Sequence, residues 1–474
     1  MKPDLKILFA ASEAAPFAKS GGLGDVAGSL PKVLKALGGD VRVVLPKYKS
    51  INEEYLKAAK YLGSFPVKLG WRSQQAGVYE ISGDVTFYLI ENDYYFSRDE
   101  YYGYDDDGER FAFFCKAVID MMAFIGFYPD ILHANDWQTG PVPLILKTLY
   151  SGFLHFSGIK TLYTIHNLQY QGNFPLSVKG LFDLDDTTGS EFYGSFSFMK
   201  CGIYYADAVS TVSRAYAKEI QMSEYGYGFE GLLKTRKNEL SGILNGISFD
   251  ENNPKTDKNI FVRLESDAVA FKKENKHKLQ ELLGLPVSDK PLFSIVSRLA
   301  NQKGMDILSP SIDRLLERGA QLVVLGTGER RYEGMLLGYQ NYFKESVRTN
   351  ILFDDILAKR IYAGSDMFLM PSRFEPCGLG QLFALRYGAI PIARKTGGLM
   401  DTITDFNGDT CEGNGFLFED YSPFALRDTV DRAISIYESE KDKWDCLINN
   451  ALNCNYSWKN SAKKYFSLYN SLIK

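Results

Sequence analysis

Through most of the chain, short runs of Val, Ile, Leu and Phe alternate with segments of helical period. Such runs stand at 5–11, 41–45, 85–90, 131–133, 160–165, 208–212 and 242–244, and again at 292–297, 321–325, 350–353, 367–370 and 390–393. Most are nearly continuous in apolar residues rather than alternating, the pattern of strands covered on both faces. Such strands belong to parallel sheets with crossover helices, so the expected fold class is α/β, doubly wound. In the first crossover Val26, Leu30, Val33, Leu34 and Leu37 share a helical face, and Gly38-Gly39 ends it. The helix is expected to start near Val26, and Pro31 predicts a kink or a late start. The polar stretch 250–259 divides the chain into two α/β halves, 1–250 and 251–456. A short amphipathic helix follows within 457–474, with Tyr465, Phe466, Tyr469, Leu472 and Ile473 on its apolar side.

Composition excludes several partners. Lys plus Arg is 54 and Asp plus Glu is 58, a net charge of −4, which gives no global field for nucleic acid or anionic lipid. The apolar stretch 111–127 is interrupted by Lys116 and Asp120, and no run approaches the ~18 apolar residues that span a bilayer. The lead Met-Lys-Pro-Asp is too short and too acidic for a signal segment. Six scattered cysteines, none in a Cys-x-x-Cys pair, lack zinc spacing and fit reduced thiols. The expected location is therefore the cytoplasm, or a plastid stroma had a transit peptide been removed. Oligomeric state is not legible.

In open parallel sheets ligands bind outside the carboxyl ends of the strands, so the strand ends carry the functional information. After the first run comes Lys19-Ser-Gly-Gly-Leu-Gly-Asp25, where glycines let backbone approach an anion and Lys19 adds a charge. Its spacing is not that of a dinucleotide fingerprint, and no Gly-Lys dipeptide exists for a P-loop. His133-Ala-Asn-Asp136-Trp137 and Tyr163-Thr-Ile-His166-Asn167 end two further runs, and two of only four histidines at strand ends suggest sugar or phosphate contacts. Later, Arg298 and Lys303 lie just past a strand, where a guanidinium forks onto phosphate oxygens and an ammonium adds a point charge. The most specific segment is Met370-Pro-Ser-Arg-Phe-Glu375-Pro-Cys377-Gly378-Leu379-Gly380-Gln381. Pro376 is placed to begin a helix whose first N–H groups, near Leu379 and Gly380, suit a phosphate, and Glu375 suits sugar hydroxyls. Cys377 has no adjacent His to activate it and reads as a packing residue. Asp105-x-Asp107 lies in an acidic, aromatic run and reads as a solvated loop.

These motifs, together with Gly242-Ile-Leu-Asn245-Gly246, lie in order along nearly the whole chain and resemble the bacterial glycogen synthases and plant starch synthases. The resemblance implies a glycosyltransferase-B fold: two Rossmann-like domains separated by a deep cleft, with a C-terminal helix crossing back to the N-terminal domain. It implies transfer of glucose from ADP-glucose to the non-reducing end of an α-1,4-glucan, with retention of configuration and without a metal or other cofactor. His166, Glu375, Arg298 and Lys303 would be catalytic. Lys19, Gly22, Asp25, Asn245, Phe353, Cys377, Gly378, Leu379 and Gly380 would join Arg298 and Lys303 in donor binding. Phe353 would stack on adenine, and Tyr95, Asp136 and Trp137 would serve the glucan acceptor.

The chain departs from the family pattern at a few places. Phe383 stands where the wider glycosyltransferase-B pattern has a second carboxylate, and Gly380 replaces the usual Thr. Ser248 and Asn252 replace the usual Asp and Trp of the segment between the halves. The Gly380 and Ser248 changes admit a catalytically weakened glucan-binding scaffold as an alternative, and a base held by one aromatic shelf and backbone contacts admits a UDP-glucose-using relative.

Overall fold

The computed structural model describes residues 5–186 and 188–474; the four-residue lead read as too short for a signal lies outside them. The chain forms two compact units, Met1–Asn245 with Trp458–Lys474, and Gly246–Ser457.

In the first unit the strands are Lys6–Ala10 (β1), Asp40–Pro46 (β2), Lys60–Leu69 (β3), Arg72–Ile81 (β4), Thr86–Glu91 (β5), Ile131–Asn135 (β6) and Lys160–Ile165 (β7), then the short Asn173–Pro175 (β8), Glu191–Phe192 (β9) and Ser195–Ser197 (β10), then Ala208–Thr211 (β11) and Leu240–Gly242 (β12). Nine of them make one sheet in the order β12-β11-β7-β6-β1-β2-β5-β4-β3, parallel except where β4 pairs antiparallel with β3 and β5. The β3–β4 hairpin is absent from the sequence reading. Its strands are only partly buried and mix Gly, Pro, Gln and Lys into their apolar positions, so no apolar run marks them. Pro66 is tolerated because β3 is the sheet edge.

The first crossover helix runs unbroken from Gly22 to Ala36, through Pro31. It starts one turn earlier than the apolar stripe suggests, because Gly21 is extended and the next residue is already helical, which places Asp25 in the first turn at the positive end of the dipole. The helix Asp107–Phe124 is buried nearly all round, which accounts for its apolar sequence. Its Lys116 donates to the Leu181 carbonyl. No helix among the described residues is long and apolar enough to cross a membrane. The last helix, Trp458–Leu472, packs with the first unit: Ser461 donates to the Leu244 carbonyl, and Tyr469 meets His133 at 2.8 Å.

The second unit is one parallel sheet of Leu292–Val296 (β13), Gln321–Leu325 (β14), Val347–Asn350 (β15), Met367–Met370 (β16), Ile390–Arg394 (β17) and Phe416–Phe418 (β18), ordered β15-β14-β13-β16-β17-β18. β15 lies three residues earlier than the apolar run 350–353. It is an edge strand whose residues alternate buried and half-buried, so the run itself is the loop beyond its end. Ile295, Leu322, Val324, Leu369 and Ile392 form the floor of the core, covered by helical Leu315, Leu336 and Leu426.

Each sheet reverses its winding once. From β1 the chain builds outward to β2 and β5, then restarts at β6 on the other side; from β13 it builds to β14 and β15, then restarts at β16. In parallel sheets such switch points open the crevice where ligands sit, outside the carboxyl ends of the strands.

Candidate active site

At the switch point of the first unit, β6 ends in Asn135 and the next residue, Asp136, has a left-handed backbone with φ of 55°. That turn directs the Asp136 carboxylate back across the sheet, where Oδ1 accepts from the backbone N–H groups of His166 at 2.7 Å and Asn167 at 3.3 Å, just past β7. Burial raises the Asp136 pKa to about 7 despite those two bonds. Asn135 Nδ2 donates to the carbonyls of Ala10 and His133, so its Oδ1 faces His166 Nε2, at 2.9 Å, as an acceptor. Nε2 therefore carries the proton. Desolvation lowers the His166 pKa to about 3, leaving a neutral ring whose Nδ1 is a hydrogen-bond acceptor. Trp137 packs edge-on against Phe111 at 5.0 Å and beside Phe174 at 5.7 Å. Lys19 and Asp25, at the other side of β1, form an ion pair of 2.9 Å, with Gly22 opening the helix between them.

At the switch point of the second unit, the loop after β13 docks on the loop after β16. Arg373 N–H donates to the Gln302 carbonyl at 2.9 Å, and Lys303 Nζ reaches Glu375 Oε2 at 2.6 Å. Ser372 donates to the same oxygen at 2.9 Å. Gly304 is required here: its φ is 76°, and a Cβ would lie 1.9 Å from the Pro371 carbonyl oxygen. The Lys303 turn is thus pressed onto the end of the strand that carries Glu375. Glu375 is 4% exposed, and its cation and hydroxyl partners satisfy a charge that burial would otherwise penalise. Arg298 is exposed on the same loop, with its guanidinium 3.4 Å from Gln302 Oε1. Phe353, just past β15, is 76% exposed.

Several expectations need correction. Tyr95 does not face an acceptor: it is 0% exposed, its hydroxyl bonds Glu109, and its ring lies among Phe96 and Phe113. His133 contacts no ligand-facing surface; it is fully buried between Thr164 and Tyr469, and burial holds it neutral. Asp107 is not in a solvated loop but buried and paired with Arg110. Pro376 does not start a helix. The helix is Gly380–Arg386 with Leu379 at its cap position, and the chain from Pro376 to Gly378 turns first, with φ of 72° at Gly378. Cys377 is buried, as a packing residue is. Among the described residues no group of three or more His, Cys, Asp or Glu side chains could hold a metal ion.

Residues 6–235 match the family described as starch synthase catalytic domain, and residues 284–445 match glycosyl transferases group 1. The glycogen synthase of Clostridium kluyveri is 49% identical over 476 residues, covering 99% of this chain and 100% of that protein. The chain belongs to the glycogen synthase family. A solved structure of the catalytic domain of starch synthase IV from Arabidopsis thaliana, bound to ADP and acarbose, superposes with a TM-score of 0.93 at 33% identity over 99% of both chains. The sucrose-phosphate synthase of Thermosynechococcus elongatus, at a TM-score of 0.63 and 18% identity over 99% of both chains, shares the fold. The fold is thus that of the glycosyltransferase-B enzymes.

Sequence reasoning passed over three residues that support this candidate site. Asn135 sets the His166 tautomer and Ser372 shares the Glu375 carboxylate. Glu13 accepts from the hydroxyl and the backbone N–H of Ser20. Each is a short polar residue in or beside an apolar strand, with nothing in its neighbours to distinguish it from a satisfied core polar group. The one signal available was position, since all three stand within five residues of a switch-point strand end.

Proposed function

We propose that the protein is a glycogen synthase that transfers glucose from ADP-glucose to the non-reducing end of an α-1,4-glucan with retention of configuration. The observation that carries the reading is the Lys303–Glu375 pair beside Arg298 at the carboxyl ends of β13 and β16. Two cations and one carboxylate at a switch point suit a donor with a diphosphate and a hexose. Arg298 and Lys303 take the charge that develops on ADP, a role for which each donor is typically worth about 3 kcal/mol. Glu375 holds the region of the glucose 3-hydroxyl, and Phe353 gives adenine a shelf. Cys377, Gly378, Leu379 and Gly380 shape the distal-phosphate pocket, where Gly380 keeps its backbone N–H without the hydroxyl of the usual Thr.

In the first unit, His166 accepts from the glucose 6-hydroxyl through Nδ1, with its carbonyl near the anomeric carbon. Lys19, Gly22 and Asp25 complete the donor contacts. Asn245 joins them, and its Oδ1, buried and without a partner among the described residues, supports that role. Asp136 orders the His166 turn while it and Trp137 serve the glucan. Retention follows from same-face attack. The acceptor oxygen bonds the anomeric carbon as the carbon–phosphate oxygen bond breaks, the electron pair leaves with ADP, and the acceptor proton passes to that phosphate oxygen. No metal or cofactor takes part. The enzyme acts in the cytoplasm, without nucleic acid or membrane partners.

The test is ADP release from purified protein, glycogen and ADP-glucose, with UDP-glucose as competitor. Release that UDP-glucose suppresses only weakly supports the reading. Glycogen binding without release at any pH would favour the scaffold.

A further inference from the structure

Resting on that reading, we propose that Glu13 is a positioning residue for the donor-side loop: it fixes the backbone beside Lys19, whose ammonium pairs with Asp25 at 2.9 Å. The polypeptide leaves β1 at Ala10, and Glu13 stands three residues beyond it, 4% exposed. From Ala11 to Gly21 the chain has no regular element: Phe17 and Ala18 N–H groups close turns on the Ala14 carbonyl, and the Ala11 and Ala15 N–H groups reach the Val44 and Gly24 carbonyls. Nothing in such a loop, apart from side-chain bonds, sets the direction of a long lysine. Asp25 supplies one such bond to the Lys19 ammonium, and the Glu13 carboxylate fixes the residue that follows it. One oxygen accepts from the Ser20 backbone N–H; the other accepts from the Ser20 hydroxyl at 2.7 Å. Both partners belong to the residue after Lys19. A third donor, the Tyr102 hydroxyl at 2.6 Å, shares the oxygen that takes the Ser20 hydroxyl, and the Ser12 hydroxyl, 2.8 Å away, completes the chain by donating to Tyr102.

Tyr102 lies beside Trp137, with ring centroids 6.1 Å apart. One buried carboxylate therefore joins the loop of Lys19 to the aromatic cluster that holds Trp137. A misplacement of about 1 Å in a charged group can cost on the order of a hundredfold in rate without loss of binding elsewhere. That sensitivity is the reason to bury a carboxylate, with its desolvation penalty, behind a loop that a few apolar contacts would hold in place less exactly.

The experiment is a double-mutant cycle on the whole chain with Glu13→Gln and Lys19→Ala, reading kcat with ADP-glucose and glycogen, and ADP affinity by calorimetry. Glutamine keeps the volume but replaces one acceptor oxygen with an NH2, so at least one of the three donors that Glu13 accepts from loses its bond. Glu13→Gln alone is expected to lower kcat by about 10–100-fold, with ADP affinity held within about twofold. In the Lys19→Ala background it should cost less than about threefold more, since the two act as a unit. A kcat within twofold of the unmodified protein, or losses that multiply fully, would overturn the proposal. Ser20→Ala removes one exposed hydroxyl and serves if the glutamine variant does not fold; it should lower kcat by about 3–10-fold, and unchanged turnover there overturns the proposal equally. Failure of the glycogen synthase reading shows separately, as absence of ADP release from the unmodified protein.

Discussion

Lys303 and Glu375 are each other's partner in the structure, which changes what a mutation of either reports. Removing the lysine takes away a phosphate contact and also strands a buried carboxylate, a loss of ~3–5 kcal/mol in stability when one member of a buried pair goes. Lys303→Ala is therefore expected to lower both kcat, by about a hundredfold or more, and the thermal midpoint. Adding Glu375→Gln should recover most of the midpoint and none of the activity. Differential scanning calorimetry beside ADP-release kinetics separates the two effects; recovery of turnover in the double variant would show that neither side chain touches the donor. Asp136 gives a second prediction. Its folded pKa, about 7, lies above the ordinary 3.8, so between those values the folded chain keeps a proton that the unfolded chain releases. Stability from this group is greatest below pH 4 and falls as the pH rises through 7. Asp136→Asn retains the acceptor for the His166 and Asn167 N–H groups and removes the titration. Its thermal midpoint should match the unmodified protein near pH 4 and exceed it above pH 7, by up to roughly 4 kcal/mol of stability. A difference that does not vary with pH would refute the raised pKa.

At the scale of elements, the last helix is a structural part of the first unit. Tyr469 supplies the partner of His133 Nδ1 in a site closed to water, while His133 Nε2 meets Thr164, which in turn meets Ser210. Tyr469→Phe leaves that nitrogen unpaired and should cost ~1–3 kcal/mol, a fall of a few degrees in thermal midpoint, with kcat unchanged. Loss of activity without loss of stability would mean that the helix acts on the chemistry. The same strand ends show what a sequence discloses. β1, β6, β7, β13, β14, β16 and β17 are legible because burial on both faces forces continuous apolar runs. β3 and β4 are not, because an edge hairpin needs only one apolar face. His133 and His166 look alike in sequence, each ending an apolar run. Only the returning helix, remote in the chain, decides that the first is core, while the second keeps its place in the proposed site. Tyr95 is a similar case. The resemblance placed it on the acceptor side, but its hydroxyl bonds Glu109 and its ring packs on Phe113, both of the buried helix Asp107–Phe124.

For the molecule as a whole, the proposed chemistry assigns unequal tasks to the two units, and the tasks separate in measurement. Phe353, Arg298 and Lys303 all belong to Gly246–Ser457, so the proposed base shelf and the two cations proposed for the diphosphate lie in this unit. Lys19 and His166 belong to the other unit, so their proposed contribution is to turnover. Phe353→Ala should weaken ADP binding by about 5–100-fold, the range for loss of one base–aromatic stack, and leave glycogen binding unchanged. Lys19→Ala should do the reverse for ADP: affinity within about twofold, with kcat lower by about 10–100-fold. The separation follows from where each charge is needed. A diphosphate in the ground state is already held by the two cations beside its own switch point. A third cation adds stabilisation only as the bond to ADP breaks, which raises kcat rather than affinity. Calorimetry with ADP and steady-state kinetics on the same two variants decide the matter. Equal loss of ADP affinity in both would show that the nucleotide is gripped by both units from the outset.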